Sequence, residues 1–163
     1  THQGTDPRRK TPVMRTEAFK EYITSLLPTA VFDESGEWLN VQIAPTDWRL
    51  LAQKLRHSEH RFDYLFCLTC VDWKTHLTMV YHLSSTDHRE TIVVKANLDR
   101  NNPEIETVSD IWRTAEFHER EVYELFGVKF LNHPDLRRLI LTDDFEGFPL
   151  RKDFEDPVNM IKL

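Results

Sequence analysis

Residues 62–96 decide the fold class of this chain, and they read FDYLFCLTCVDWKTHLTMVYHLSSTDHRETIVVKA. Three runs rich in β-branched and aromatic residues lie in this stretch, and short polar connections separate them. Apolar and polar residues alternate in the second and third runs, which is typical of strands that bury one face. We therefore predict β-strands over residues 62–73, 77–84 and 90–96.

On the N-terminal side of these strands, helical and strand patterns follow one another. Apolar residues lie on one face of a helix that we predict from the N-cap Thr16 to Pro28. A β-hairpin should follow over residues 30–44, and a second amphipathic helix should open at Pro45. This order predicts an α+β fold with two layers, in which a mixed, mainly antiparallel sheet carries helices on one face.

The C-terminal third has a different character. We expect a helix over residues 109–126, with room for an interruption near Thr114, that stops at Gly127. Beyond it the chain shows little periodicity apart from an extended run at 138–141, yet it keeps many large apolar residues. The chain is thus divided into a flexible N-terminal arm (1–15) with a basic cluster, an α+β domain (16–127) and an extended C-terminal docking arm (128–163).

The composition excludes several classes of function. The 163 residues carry 21 Lys and Arg against 27 Asp and Glu, so the net charge of −6 gives no general attraction for nucleic acid or anionic lipid. No apolar run approaches the ~18 residues that span a bilayer, and residues 1–15 lack the apolar core of a secretory signal. The 2 cysteines indicate a reducing compartment.

Metal, redox and nucleotide sites find little support. Cys67 and Cys70 lie in a predicted strand, where residues three apart point to opposite faces, so we interpret them as two buried structural thiols. His118 and Glu119 begin an HExxH-like pattern that Val122 breaks. The glycines form neither a GxGxxG nor a P-loop pattern. We expect no metal, no cofactor and no catalytic residue on this chain.

The densest set of titratable groups lies at residues 116–124. A helical projection places Glu119 in the middle of the apolar face of the third helix. Because a buried carboxylate must be neutralised, paired or hydrogen-bonded, we expect an arginine of the C-terminal segment as its partner. The candidates are Arg137, Arg138 and Arg151. On the charged side of the same helix, Phe117 indicates a second contacted surface.

Several ordered stretches resemble a known family. Residues 119–130 read EREVYELFGVKF, and residues 133–138 read HPDLRR. A hydrophobic triplet, an acidic pair and GFPLRKDF complete the pattern up to residue 154. The pattern resembles the C subunit, or 30 kDa subunit, of respiratory NADH:quinone oxidoreductase (complex I), with mild departures at His118, Glu124 and Thr142.

The resemblance implies a non-catalytic structural subunit in the hydrophilic arm of complex I, within the quinone-reducing module. Such a subunit carries no flavin and no iron–sulfur cluster, whereas the assembly uses FMN, iron–sulfur clusters, NADH and quinone. The D subunit of complex I is the implied main partner, beside the B and I subunits. Membrane association is then indirect, on the cytoplasmic side of a bacterial inner membrane or the matrix side in a mitochondrion.

The residues predicted to hold the arm and the partner surface share a role in assembly, and we call them the assembly set: Phe117, Glu119, Arg120, Glu121, Glu124, His133, Arg137, Arg138, Arg151, Lys152 and Asp153. The equivalent subunit of a membrane-bound nickel–iron hydrogenase, or of a ferredoxin-fed complex I relative, is the nearest alternative. A free-standing acid–base hydrolase would need Glu119 and Glu121 on one side of the helix, and their spacing places them on opposite sides.

Overall fold

The computed structural model describes residues 12–142 and 144–155. Three α-helices are present in this part of the chain: α1 (Pro12–Leu26), α2 (Trp48–His57) and α3 (Ala115–Phe126). The strands are β1 (Val31–Asp33), β2 (Leu39–Ile43), β3 (Tyr64–Asp72), β4 (His76–Ser85), β5 (Glu90–Asp99), β6 (Glu104–Glu106) and β7 (Lys129–Leu131). A short 3-10 turn over Pro45–Asp47 leads into α2.

The larger sheet has five strands in the order β1-β2-β5-β4-β3. The β1–β2, β3–β4 and β4–β5 pairs are antiparallel, and β2 and β5 run parallel. The predicted mixed, mainly antiparallel sheet and the predicted hairpin are therefore confirmed. A second, two-stranded parallel sheet joins β6 to β7.

The core lies between the sheet and the helices. Trp48 of α2 packs against Tyr81 of β4 with their ring centroids 4.4 Å apart, and both side chains are fully buried. Phe19 of α1 packs on Phe62, which is also fully buried, at a centroid distance of 5.6 Å. On the opposite face of the sheet the exposed or half-buried side chains are mostly polar, as at Lys95. This is the two-layer arrangement that the sequence predicts.

The ends of two helices differ in how well the sequence predicts them. α3 ends at Gly127, as predicted, in a left-handed conformation with φ of 78°, and the Gly127 N–H donates to Tyr123 O at 2.9 Å. α1 begins at Pro12, before the predicted N-cap Thr16. Proline suits the first turn of a helix because that turn needs no N–H from it. Residues 12–15 are thus helical, and the rest of the predicted N-terminal arm lies outside the described residues.

The third helix is shorter than predicted, because residues 109–114 form turns. The Trp112 indole N–H donates to Phe62 O at 2.8 Å, and the Thr114 hydroxyl donates to Leu65 O at 2.7 Å. These bonds tie the turns to the start of β3. The interruption expected near Thr114 therefore marks the true N-terminal end of α3.

The strands β6 and β7 are absent from the sequence prediction, and β7 includes residues that we assigned to the docking arm. Phe130 is buried in the core, and Ile105 of β6 pairs with it. The extended run predicted at 138–141 is a series of bends and forms no strand. Cys70 is buried as predicted, whereas Cys67 is only half-buried, beside a bulge in β3.

Among the helices that the structure describes, none combines the length and the apolar character needed to cross a bilayer.

Candidate functional site: an arm anchored by buried charges

The candidate site is the segment after β7, residues 132–142 and 144–155, which we call the arm, together with the groups that hold it. α3 supplies three of these groups, Glu119, Arg120 and Glu124. All three are buried in the described structure. Charged side chains are rarely buried unless they are paired or hydrogen-bonded. Their partners therefore show what this helix is built to hold.

Glu124 binds the backbone of the arm. Its carboxylate accepts the N–H groups of Leu139 at 2.6 Å, Ile140 at 3.0 Å and Leu141 at 2.6 Å. Burial opposes ionisation of this carboxyl, but the backbone N–H groups outweigh it and hold the pKa of Glu124 below its ordinary value. One side chain thus accepts hydrogen bonds from three consecutive backbone N–H groups, which would otherwise need acceptors in a neighbouring strand or in water.

Arg120 lies one turn before Glu124 and binds the neighbouring acceptors. Its Nε donates to Arg137 O at 3.1 Å, and its Nη2 donates to Arg138 O at 3.3 Å. The guanidinium also lies 5.8 Å from the ring centroid of Phe117. The acid and the base on α3 thus bind the donors and the acceptors of one segment, residues 137–141.

A second anchor lies at the C-terminal end of α3. The backbone N–H of Leu150 donates to Leu125 O at 3.0 Å, and Arg151 Nε donates to Phe126 O at 2.6 Å. These donors satisfy carbonyls that a helix end leaves unpaired, and a cation is favoured there by the helix dipole. Arg151 also lies 5.2 Å from the ring centroid of Phe148.

The third anchor is Asp72, at the end of β3. Its carboxylate accepts the backbone N–H of Lys152 at 2.8 Å and that of Lys74 at 2.7 Å, and it forms an ion pair with Arg100. Arg100 also pairs with Asp153 at 3.1 Å. Burial alone would raise the pKa of Asp72, but these hydrogen bonds outweigh it and hold the pKa well below the usual range.

Glu119 is 0% exposed, as its register predicts, but the expected arginine partner is wrong. The Thr107 hydroxyl donates to Oε2 at 2.5 Å, the Val108 N–H donates to Oε1 at 2.8 Å, and His133 Nε2 lies 3.6 Å from Oε2. Burial is the main cause that raises the pKa of Glu119 to about 7, against the lowering effect of these hydrogen bonds.

The candidate arginines are engaged elsewhere. Arg137 pairs with Asp135 at 3.0 Å on the surface, and Arg138 donates to Thr142 O at 2.6 Å. Arg151 binds the end of α3 instead. They fail as partners of Glu119 because the chain path brings the imidazole of His133, and not a guanidinium, over that carboxyl.

The structure brings most of the assembly set together at α3 and the arm. Glu121 is exposed on the far side of the helix, and the Lys152 contact to Asp72 is made by its backbone. Sequence reasoning missed Asp72, Arg100 and Thr107 as anchors. The one available signal was Asp72 itself, a charged residue that ends an apolar strand.

The backbone anchoring leaves apolar side chains outside. Ile140 is 74% exposed, Leu150 is 53% exposed and Leu139 is 40% exposed, and Phe117 nearby on α3 is 57% exposed. Within residues 12–142 and 144–155, no three His, Cys, Asp or Glu side chains are grouped as metal ligands. The anchored arm thus presents a partly apolar surface.

Comparison with known proteins connects this geometry to a family. Residues 41–158 match the family described as the 30 kDa subunit of respiratory-chain NADH dehydrogenase. The chain is 49% identical over 112 residues to the C/D subunit of NADH-quinone oxidoreductase from Phocaeicola vulgatus, covering 68% of this chain and 21% of that one. It is 46% identical over 115 residues to the C subunit from Moorella thermoacetica, covering 69% and 77% of the two chains.

Two solved structures are similar. A chain of the membrane-bound sulfane sulfur reductase, an archaeal respiratory membrane complex, matches with a TM-score of 0.74 and 28% identity over 86% of each chain. A trypsin-resistant fragment of Nqo5 matches with a TM-score of 0.63 and 28% identity, covering 76% of this chain and 100% of the fragment. The chain spans less than half the length of some relatives, 21% of the Phocaeicola protein and 46% of the C subunit from Chloroherpeton thalassium.

Proposed function

This chain belongs to the family of the 30 kDa subunit of respiratory-chain NADH dehydrogenase, and we propose that it is a non-catalytic structural subunit of a proton-translocating NADH:quinone oxidoreductase. In this role it braces the quinone-reducing module of the hydrophilic arm and supports electron transfer from NADH to quinone. The enzyme is the assembly, and this chain contributes no active site of its own.

The observation that carries the proposal is the arm. Backbone groups of residues 137–141 and 152 are bound inside the chain by Glu124, Arg120 and Asp72, yet the side chains of Ile140, Leu150 and Leu139 remain exposed. Large apolar side chains held rigidly outside are typical of a surface that a partner covers. Because the segment is already ordered, docking costs little conformational entropy.

The proposed main partner is the D subunit of the same enzyme, which binds over the arm. The support comes from relatives named as fused C/D subunits, in which the segment similar to this chain spans 21% of a longer protein. A fused pair keeps its two parts at high effective concentration, which suits segments that bind one another. The B and I subunits are the proposed neighbours, as the family resemblance implies.

The cofactors of the reaction belong to the proposed assembly. FMN, iron–sulfur clusters, NADH and quinone are bound by other subunits of that assembly. Its attachment to the membrane is indirect, on the cytoplasmic side of a bacterial inner membrane or the matrix side of a mitochondrial one.

The test is a gentle-detergent affinity purification of the tagged chain from its native membranes, with partners identified by mass spectrometry and the eluate assayed for NADH:quinone activity. Recovery of the B, D and I subunits with this activity supports the proposal. One relative is named as the C subunit of F(420)H(2) dehydrogenase and is 46% identical over 98 residues. Recovery of similar partners with F420H2, hydrogenase or sulfur-reducing activity would therefore move the chain to a sister assembly. Recovery of the chain alone would contradict the proposal.

A further inference from the structure

Glu119 is the one buried acid of α3 that does not hold the backbone of residues 137–141. Its side chain and that of His133 are both fully buried, and His133 lies in the first turn of the arm. Two segments therefore cover the Glu119 carboxyl: the loop over residues 107–109 and the turn over residues 132–135.

The hydroxyl groups next to Glu119 are arranged so that its carboxyl can carry a proton. Oε2 lies 2.5 Å from Thr107 Oγ1, and Thr107 Oγ1 lies 2.9 Å from Ser109 Oγ. The Thr107 hydroxyl has one proton and can donate it either to Glu119 or to Ser109. When it donates to Ser109, the short contact between Thr107 Oγ1 and Glu119 Oε2 needs a proton from the Glu119 carboxyl. Ser109 lines an open groove of about 420 Å³. The two hydroxyls thus connect the buried carboxyl to solvent.

His133 cannot neutralise Glu119 without loosening the arm. Its Nδ1 accepts the backbone N–H of Asp135 at 3.0 Å, so the ring proton lies on Nε2. Nε2 faces the carbonyl of Glu116 at 3.2 Å and the Glu119 carboxyl at 3.6 Å. An imidazolium would need a proton on Nδ1, and that proton would break the hydrogen bond from Asp135.

The other charged groups near Glu119 offer little compensation. Arg49 approaches from α2, but Asp110 binds it with two contacts, at 2.9 Å and 2.6 Å. Tyr81 faces the site from β4 as a buried phenol, and Glu116 lies one turn earlier on α3. Among the described residues, an ionised Glu119 is therefore a buried charge with hydrogen bonds but no free cation, which agrees with its raised pKa of about 7.

We propose that Glu119 and His133 form a proton-controlled latch at the base of the arm. While the carboxyl holds its proton, the site is neutral and the turn over residues 132–135 stays closed. When the proton leaves through Thr107 and Ser109 to the groove, the carboxylate becomes a buried charge without a free cation among the described residues and draws water to itself. Water at the carboxylate breaks the closure of that turn and loosens the first part of the arm.

Hydrogen exchange on the full-length chain tests the latch between about pH 6 and pH 8. Protection factors, corrected for the intrinsic exchange rate at each pH, are measured for the peptide covering residues 132–142. A shift from an ordinary carboxyl to a pKa of about 7 predicts about a tenfold loss of protection across this range in the wild type. Glu119→Gln should remove the pH dependence. Glu121→Gln, the same change on the exposed side of α3, should keep it.

Protection that does not change with pH in the wild type, or that falls equally in Glu119→Gln, overturns the proposal. Infrared spectroscopy of the wild type keeps the test available if Glu119→Gln does not fold. A C=O band of a protonated carboxyl should be present near pH 6 and lost near pH 8. If no such band disappears in that range, the latch is also overturned.

Discussion

The ring of Phe148 occupies the space where Gly127 has no side chain. A Cβ built on Gly127 would lie 2.7 Å from the ring, closer than side chains approach one another in proteins. The same glycine ends α3 with a φ of 78°, in the left-handed region. The glycine therefore both ends the helix and allows the arm to return onto the helix end.

Gly127→Ala should destabilise the protein by about 2–4 kcal/mol, because the Cβ meets both the ring and an unfavourable backbone conformation. Equilibrium denaturation measures this loss. Gly36→Ala is the matched control, since nothing lies within 4 Å of a Cβ there. A control that loses as much stability as Gly127→Ala would show that the close packing of Phe148 is not the cause.

Asp72 joins two distant parts of the chain, because it accepts the N–H of Lys152, 80 residues later. Asp72→Asn removes the charge opposite Arg100 and one of two acceptor oxygens. We expect a loss of about 3 kcal/mol, since the substitution leaves Arg100, among the described residues, with only the exposed Asp153 as a partner and weakens the hydrogen bonds of the buried Asp72 side chain. Equilibrium denaturation should measure this loss of stability. Limited proteolysis should cleave the variant faster than wild type within residues 144–155.

The exposed Asp87, which pairs with Arg61 at 3.3 Å, provides the control for Asp72. Asp87→Asn should change stability by less than about 1 kcal/mol, because exposed ion pairs contribute little. Equal effects of the two substitutions would contradict the anchoring role of Asp72.

Acid should release the arm through Glu124. Its pKa lies below the ordinary value of 4.5, so the stabilisation is present above that pH and is lost as pH falls through the lowered value. Glu124→Gln removes the titrating group and one acceptor, so it should expose the arm to proteolysis at neutral pH by loss of about 2 kcal/mol locally. Between about pH 5 and pH 3 the arm of this variant should lose less of its remaining protection from proteolysis than the wild-type arm does. A wild-type arm whose cleavage rate is constant over this range would contradict the prediction.

The two cysteines should differ in reactivity. Burial raises the pKa of the Cys70 thiol to about 12, whereas Cys67 is half-buried. Because the thiolate is the reactive form, iodoacetamide at about pH 8 should label Cys67 before Cys70 in the native protein. Peptide mass spectrometry gives the order, and labelling in denaturant is the control. Equal rates in the native state would contradict the burial of Cys70.

The sequence predicts the central strands well because their alternation is a local signal. In β4 and β5 the largest apolar residues recur at every second position, which shows the buried face, although Val80 and Val93 on the opposite face are buried as well. β6 and β7 have three residues each, too few for a period, and they form because Ile105 meets Phe130 across the second sheet. That pairing depends on the chain path, which no local pattern contains.

The candidate site was likewise only partly predictable from the sequence. The burial of Glu119 follows from the helical period of α3, so the sequence predicts it. Its partner does not follow, because charge alone favours an arginine while the path of the arm brings His133 and Thr107 to the carboxyl. The roles of Glu124 and Arg120 were also hidden, since they bind backbone groups and leave no pattern of complementary side chains.

A partner that covers the apolar side chains of the arm should be lost in Ile140→Asp. Ile140 is 74% exposed, so the substitution should not change the stability of the isolated chain. Val31, 63% exposed on the short edge strand β1, provides the matched control as Val31→Asp. The measurement is the amount of the D subunit that copurifies with each tagged variant from native membranes. We expect Ile140→Asp to bind at least about tenfold less of the D subunit than wild type, because the new carboxylate would be buried without a partner, whereas Val31→Asp should bind as much as wild type. Equal recovery with Ile140→Asp and wild type would contradict the proposal that a partner covers the arm.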